Sequence, residues 1–126
     1  MLFQKINSKK DESKKTFDEV YSDFGLFEYS EDGFKFTNQD FSKNIKWTEI
    51  DIINVYKKDI FAYDLIVMEI LCGENALTIN EETPGWFQLV LKLKEVFNSI
   101  PKDWDINIVQ PAFATNFTTI YSKIQQ

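Results

Sequence analysis

The chain has 126 residues, of which 44% are apolar, and its 20 acidic and 14 basic side chains give a net charge of −6. This length predicts one domain, with enough apolar residues to bury a core. All the basic residues are Lys, there is no His, and there is one Cys. The composition therefore excludes Ser-His-Asp and Cys-His catalysis and metal sites that need His or several Cys. Without Arg to read phosphate or guanine, we expect no nucleic-acid partner, and we expect no metal and no cofactor.

The charges divide the chain into two parts. Residues 1–15 hold five Lys and two acids, whereas residues 16–126 hold nine Lys and eighteen acids. This split predicts a flexible, polar, Lys-rich tail followed by one acidic domain. Cys72 alone can form no internal disulfide, and the longest apolar run, residues 65–68, is too short to span a bilayer. With no apolar stretch of signal-peptide type at the start, these features predict a cytoplasmic protein.

The first half of the chain has the alternation that is typical of antiparallel strands. Residues 17–24 come first, and their apolar side chains at helical spacing predict a short helix. After it, Asp32 and Gly33 separate two alternating aromatic runs, which is a strong signal for a β-hairpin. The predicted strands are residues 26–29, 34–37, 41–47 and 50–57, the last with a bulge between Ile52 and Ile53.

The second half changes from strand to helix periodicity. Residues 65–72 are nearly all apolar, as in a central strand covered on both faces, and residues 76–80 follow as its partner strand. Thr83 is a good N-cap, and Pro84 suits the first helical position. The apolar stripe from Trp86 to Ile100 predicts one long amphipathic helix that Pro101 stops.

Beyond Pro101 the pattern predicts a short return segment. Trp104, Ile106 and Ile108 alternate with polar residues, as they would in a strand, and residues 117–124 predict a last strand. Strands followed by one long helix and a short return predict the α+β class.

Part of this pattern resembles bacterial pleckstrin-homology-like (PH-like) domains. The resemblance covers residues 26–100 and consists of an apolar strand, a Trp, a polar bend and an Ile that enters the next strand. It implies a strongly bent antiparallel sheet or small barrel that one helix closes at its mouth. The residues that carry it are Gly33-Phe34-Lys35-Phe36, Ile45-Lys46-Trp47-Thr48-Glu49-Ile50, Ile53 and Tyr56.

The chain also departs from that family pattern. About six strands precede the predicted helix, or five if residues 41–57 form one bent strand, where the family has seven. The family members that bind phosphoinositides use Lys and Arg around the first hairpin loop, whereas this loop reads Ser30-Glu31-Asp32-Gly33. An acidic loop repels anionic headgroups. The resemblance therefore implies a shape, and we expect neither phosphoinositide binding nor membrane insertion.

Several side chains could carry chemistry, and each has a simpler structural interpretation. Glu81 and Glu82 form a carboxylate pair, but neighbours on an extended chain point apart, and compensation of the helix end explains them better. Asp103 and Asp105 share a strand face without a third oxygen ligand at calcium-loop spacing. A buried acid at Glu69 and a nucleophilic Cys72 are less favoured than structural roles. We therefore predict no catalytic residue.

Phe87 and Leu91 lie outside the main stripe of the predicted helix, about 100° and 140° around the axis from Trp86. A sheet that covers the stripe leaves them as an apolar patch. We predict that the C-terminal return covers this flank, with a second copy in a homodimer as the alternative. If neither does, Phe87 and Leu91 form the candidate partner interface. The side chains of the return that need a surface are Trp104, Ile106, Phe113 and Phe117.

Three classes of function fit these features. A non-catalytic interaction module with a protein or peptide partner is favoured, because a fold alone specifies no chemistry. A stoichiometric inhibitor, such as an immunity protein against a basic toxin, is the first alternative, because opposite charge speeds association. A small-ligand carrier is the second, since the abundant aromatic residues could line a pocket, and an enzyme is the least favoured.

Overall fold

The computed structural model describes residues 24–125. The predicted Lys-rich tail at 1–15 and the predicted helix at 17–24, apart from Phe24 itself, lie outside the described residues. None of the helices within residues 24–125 is long and apolar enough to cross a membrane.

Two antiparallel sheets form the body of the domain. The three-stranded sheet follows chain order, β1-β2-β3, and the four-stranded sheet has the order β6-β5-β4-β7. The strands are β1 (Phe27–Tyr29), β2 (Gly33–Asn38), β3 (Phe41–Lys46), β4 (Ile52–Asp59), β5 (Asp64–Cys72), β6 (Asn75–Asn80) and β7 (Thr118–Ser122). The helices are α1 (Trp86–Val96) and α2 (Trp104–Asn107), with 3₁₀ turns at Trp47–Glu49 and Lys123–Gln125.

One hydrophobic core joins both sheets and both helices. Alternate residues of a strand face the same side, so β4 contributes Ile53 and Val55, which pair with Ile70 and Met68 of β5. The three-stranded sheet contributes three phenylalanines and Ile45, and α1 contributes the buried positions of its stripe. The residues from the three-stranded sheet are Phe27, Phe34, Phe36 and Ile45, and those from α1 are Leu89, Val90 and Leu93.

The predicted strands are largely confirmed. The hairpin at Asp32-Gly33 joins β1 and β2, with Tyr29 opposite Phe34. β5 is a central strand with residues 65–68 all buried, as its continuous apolar run predicts. A register shift lies between Ile53 and Asn54, one position after the predicted bulge, and the extra residue is Ile120 of β7.

The structure differs from the sequence prediction in two features, the small barrel and the long helix. The α+β class and the antiparallel strands are as predicted, but the two sheets remain separate and do not close into a barrel. α1 has 11 residues and begins after Gly85, because the Thr83 hydroxyl accepts the Asn80 N–H instead of capping the helix. The helix ends at Val96, and the backbone becomes extended at Phe97. The Phe97 ring packs on the Tyr121 ring, with the two ring centroids 4.3 Å apart.

The predicted strand at residues 104–108 is wrong. Trp104 and Ile108 are both buried, whereas Ile106 between them is exposed. Positions four apart share one face of a helix, and the chain forms the short helix α2 here. The sequence spacing 104, 106, 108 contains both the strand and the helix period, so alternation alone could not separate them.

Two glycines let the start of β1 pack against the start of α1. Gly25 and Gly85 have φ of +61° and +91°, and the Leu26 N–H donates to the Pro84 carbonyl at 3.1 Å. A Cβ on Gly85 would overlap the Phe24 carbonyl, whereas a Cβ on Gly73, which also has positive φ, would meet nothing within 4 Å. The close approach therefore requires glycine at position 85 for two reasons, conformation and space.

We predict that Gly85→Ala lowers the free energy of unfolding by more than about 3 kcal/mol, because it adds a backbone collision to the cost of positive φ. Gly73→Ala is the matched control and bears only the conformational cost, about 1 kcal/mol. Urea unfolding of both variants measures the difference. Equal losses would show that the contact with Phe24 is not tight.

Candidate functional site

Lys57 is a buried cation at one end of the four-stranded sheet. It continues the core face of β4 after Ile53 and Val55 and lies opposite Ile66 of β5. The whole residue is 3% exposed. A buried ammonium costs several kcal/mol unless its hydrogen-bond donors are satisfied, so the surrounding chain must supply oxygens.

Three oxygens surround the Lys57 ammonium. Nζ donates to the carbonyls of Val109 (2.9 Å) and Pro111 (2.5 Å) and lies 3.5 Å from Asp64 Oδ2. The same carboxylate oxygen accepts the Phe113 N–H at 2.6 Å, and the Lys57 N–H donates to the Thr115 carbonyl at 2.7 Å. We call this arrangement of Lys57 and Asp64 the Lys57 anchor. It fixes the segment 109–115 against the β4–β5 hairpin.

The Asn116 side chain forms hydrogen bonds within the same part of the chain. Its side-chain amide donates to the carbonyls of Ile108 (3.2 Å) and Gln110 (3.1 Å). Because β7 is antiparallel to β4, the segment that enters β7 reaches the sheet at the end where the β4–β5 hairpin turns. The hairpin and residues 109–117 therefore form one continuous end of the molecule.

This end displays large apolar side chains to solvent. We call it the apolar end and define it by five residues. Their exposed fractions are 98% for Phe61, 46% for Tyr63, 44% for Val109, 60% for Phe113 and 58% for Phe117. Phe117 is held by stacking on Tyr56, with the ring centroids 5.9 Å apart. Several large apolar side chains exposed at one end of a domain are typical of an interaction site.

The backbone of the apolar end is strained. Phe61, Phe113 and Asn116 have φ of +77°, +60° and +49°. Positive φ is unusual for a bulky residue and persists only where the surroundings impose it. The Lys57 anchor imposes it at Phe113, and the Phe61 N–H is held by Asp59 Oδ1 at 3.0 Å. Backbone strain of this kind occurs most often at functional sites.

Acidic groups lie beside the apolar end. Asp59 lies at the base of the Phe61 turn, and Glu82 accepts the Tyr63 hydroxyl. That hydrogen bond to Glu82 raises the pKa of Tyr63. Asp59 and Glu82 therefore place two carboxylates next to the apolar rings.

Phe87 and Leu91, the predicted interface, lie on α1 and are 40% and 36% exposed. The return segment meets α1 through an ion pair between Lys94 and Asp105 at 2.9 Å. Trp104 belongs to the core, but the other three apolar residues of the return stay exposed. These are Ile106, Phe113 and Phe117, so the prediction that they cover the flank of α1 is wrong.

The two acidic pairs considered from the sequence do not form a site. Glu81 Oε1 accepts the Ile66 N–H at 3.1 Å, and Glu82 reaches Tyr63 instead. Asp103 precedes α2, whereas Asp105 within it pairs with Lys94. No group of three or more His, Cys, Asp or Glu side chains suited to a metal ion exists in the part of the chain that the structure describes.

Glu69 and Cys72 lie on β5, away from the apolar end. Glu69 is half-buried between Asn54 and Thr78, its cross-strand neighbours. Burial raises the pKa of the Cys72 thiol, which disfavours the thiolate that nucleophilic attack needs. The position of both residues agrees with structural roles.

The Lys57 anchor and the apolar end that it supports are not predicted from the sequence. The usable signal was the alternation Ile53, Val55, Lys57, which places a cation on the core face of a strand. No sequence pattern pairs Lys57 with carbonyl groups more than fifty residues away. A comparison of the chain with protein-family models, with curated proteins and with solved structures finds no match.

We predict that Lys57→Met lowers the free energy of unfolding by about 3–5 kcal/mol, because it leaves Asp64 and two carbonyls buried without their cation. The control is Lys58→Met, which changes an exposed neighbour and should shift stability by no more than about 0.5 kcal/mol. Urea unfolding gives both values. A Lys57→Met protein as stable as the control would show that Lys57 does not anchor the segment 109–115.

Proposed function

We propose that the protein is a non-catalytic interaction module that binds a protein partner through the apolar end. The observation that carries this proposal is the display of Phe61, Tyr63, Val109, Phe113 and Phe117 at one end of the sheet. Aromatic side chains dominate the binding energy of protein interfaces. Four of these five side chains are aromatic, and they occupy adjacent loops.

The anchoring of this surface favours binding. Phe113 sits on a segment that the buried Lys57 holds in place, and the Phe61 turn is closed by Asp59. A side chain whose backbone is already ordered loses less conformational entropy when a partner docks. The strain at Phe61 and Phe113 is then retained because the displayed conformation is the one that binds.

The acids beside the rings favour a partner with basic residues around an apolar centre. Asp59 and Glu82 flank the surface, and the whole chain carries a net charge of −6. Opposite charge steers encounter and sets specificity at the rim, while the apolar centre supplies affinity. This net charge also favours the second candidate function, a stoichiometric inhibitor of a basic protein such as a toxin.

Three of the acids considered for chemistry, Glu81, Glu82 and Asp105, have structural partners, which supports a non-catalytic role. Glu81 binds a backbone N–H of β5, and Asp105 pairs with Lys94. The PH-like resemblance itself remains a prediction. The flank of α1 at Phe87 and Leu91 remains a predicted alternative interface.

We predict that the double variant Phe61→Asn/Phe113→Asn loses about 2 kcal/mol or more of partner affinity while its stability stays equal or rises by up to about 1 kcal/mol. The stability rises because Asn adopts positive φ more readily than Phe. Wild-type protein and variant are used to capture a partner from cells that make the protein, and the purified pair is measured by isothermal titration calorimetry.

Phe41→Asn is the matched control, since Phe41 is an exposed phenylalanine on β3, outside the apolar end. It should bind as the wild type does. If the double variant keeps full affinity while Leu91→Ser loses it, the interface lies on α1 instead. A bound protein that is basic and loses its own activity in a one-to-one complex would identify the inhibitor function.

A further inference from the structure

Within the described residues, the two sheets have four edge strands, β1, β3, β6 and β7. An unpaired edge pairs readily with another extended chain, so proteins usually guard it with a short strand, with Lys or with a bulge. β1 has three residues, β3 carries Lys43 and Lys46, and β7 contains the irregularity at Ile120. β6 has none of these guards, because it pairs regularly with β5 over six residues and contains no charged residue and no Pro.

The backbone of β6 directs polar groups out of the sheet along this edge. The Asp51 N–H donates to the Leu71 carbonyl at 2.8 Å, so Leu71 directs its backbone groups towards β4. Ala76 lies opposite Leu71, and opposite residues of an antiparallel pair exchange either both hydrogen bonds or none. Ala76 therefore directs its N–H and carbonyl away from β5, and Thr78, two positions on, does the same.

The turn after β6 agrees with this orientation and leaves part of the edge open. The Asn80 N–H donates to the Thr83 hydroxyl at 3.2 Å, and the Asn80 carbonyl accepts the Thr83 N–H at 2.9 Å. Among residues 24–125, no strand or helix other than β5 lies along β6, and the outward backbone groups of Ala76 and Thr78 have no hydrogen-bond partner. Both side chains are exposed. The edge therefore offers two donors and two acceptors to an incoming chain.

Acidic side chains flank this free edge. Glu69 lies opposite Thr78 on β5, Glu74 precedes β6, and Glu81 follows it. The charged side chains next to both ends of β6 and opposite it on β5 are all acidic. Opposite charges on neighbouring strands stabilise their pairing, so these acids favour an incoming strand that carries Lys or Arg.

A second copy of this chain fits the edge less well than a basic segment does. Two antiparallel β6 strands that pair Ala76 with Thr78 of the other copy would bring Glu74 of each copy next to Glu81 of the other. Like charges on neighbouring strands destabilise their pairing. The charge around β6 therefore favours a different chain, with basic residues at both ends of a short uncharged stretch.

We propose that the free edge of β6 is a second interaction surface, which accepts an extended segment of a protein partner as a fifth strand of the four-stranded sheet. The segment pairs its backbone with Ala76 and Thr78 and directs Lys or Arg towards Glu74 and Glu81. Main-chain hydrogen bonds supply the affinity in this mode of recognition, and side chains supply the specificity. The proposal rests on the backbone of β6 and is independent of the apolar end.

The test uses the full chain labelled with ¹⁵N and the peptide acetyl-Lys-Thr-Val-Thr-Val-Thr-Lys-amide. When its central Thr lies opposite Leu77, its two valines face Ala76 and Thr78, and its Lys side chains reach the acids at the ends of β6. We expect the amide signals of Ala76 and Thr78 to shift saturably.

Three altered peptides separate backbone pairing from charge. N-methylation of both valines removes the N–H groups that face β6 and should abolish binding. N-methylation of the first and last threonines, whose N–H groups point away from β6, should leave binding unchanged. Glu in place of both Lys should weaken binding about tenfold, because it turns two attractive cross-strand pairs into repulsive ones.

Variants of the protein locate the binding edge. Thr78→Lys adds a like charge beside the peptide and should weaken its binding about fivefold. Ser42→Lys is the matched control, because Ser42 is exposed on β3, and it should bind the peptide as the wild type does. The Phe61→Asn/Phe113→Asn variant should also bind the peptide unchanged, since neither residue belongs to β6.

The proposal is overturned if the peptide causes no saturable shift at Ala76 and Thr78 up to its solubility limit, or if the valine-methylated peptide binds as well as the parent. It is also overturned if the protein alone sediments as a dimer that Thr78→Lys converts to a monomer, because a second copy then occupies the edge. If the Phe61→Asn/Phe113→Asn variant loses its captured partner while the wild type ignores the peptide, the proposal for β6 fails and that for the apolar end stands.

Discussion

The buried ammonium of Lys57 is the constraint on which the functional end of this structure depends. A cation that is 3% exposed at the end of a core-facing strand needs oxygens on every side. β5 supplies one through Asp64, and the chain before β7 supplies two through Val109 and Pro111. This requirement brings a segment from the far end of the sequence to the β4–β5 hairpin.

The anchor also explains how an exposed aromatic surface can have a defined conformation. Segments rich in exposed phenylalanine gain little from burial and would otherwise be disordered by their own entropy. Here the carboxylate that pairs with Lys57 also binds the Phe113 N–H, so the buried charge fixes the backbone that carries the exposed ring. The buried contacts of Lys57 therefore hold the backbone of a segment whose aromatic side chains face solvent.

The parts of the fold that depend on local chemistry could be predicted from the sequence. Asp32-Gly33 favours a turn through its local chemistry, and the run at residues 65–68 needs cover on both faces, so the first hairpin and the central strand are as predicted. The length of α1 could not be predicted, because Phe97 leaves the helix to pack on Tyr121, which is distant in sequence. α2 was predicted as a strand because Trp104 and Ile108 fit both periods.

The candidate site was predicted less well than the fold, for a physical reason. Helical geometry identifies Phe87 and Leu91 as lying off the stripe, since that follows from spacing along one element. The exposure of Phe61 and Phe113 depends on long-range hydrogen bonds to Asp64 and Lys57, which no local pattern contains. The strands of the sheet could be predicted from the order of the residues, but the exposed surface at the apolar end could not.

The most direct test of this account is the ¹H–¹⁵N spectrum of the lysine ammonium groups in ¹⁵N-lysine-labelled protein. An ammonium with three acceptors, shielded from water, exchanges its protons slowly. The account predicts a Lys57 Nζ signal that exchanges far more slowly than that of Lys58 and shows proton contacts to Val109 and Pro111. A Lys57 signal that exchanges as fast as that of Lys58, without those contacts, would contradict it.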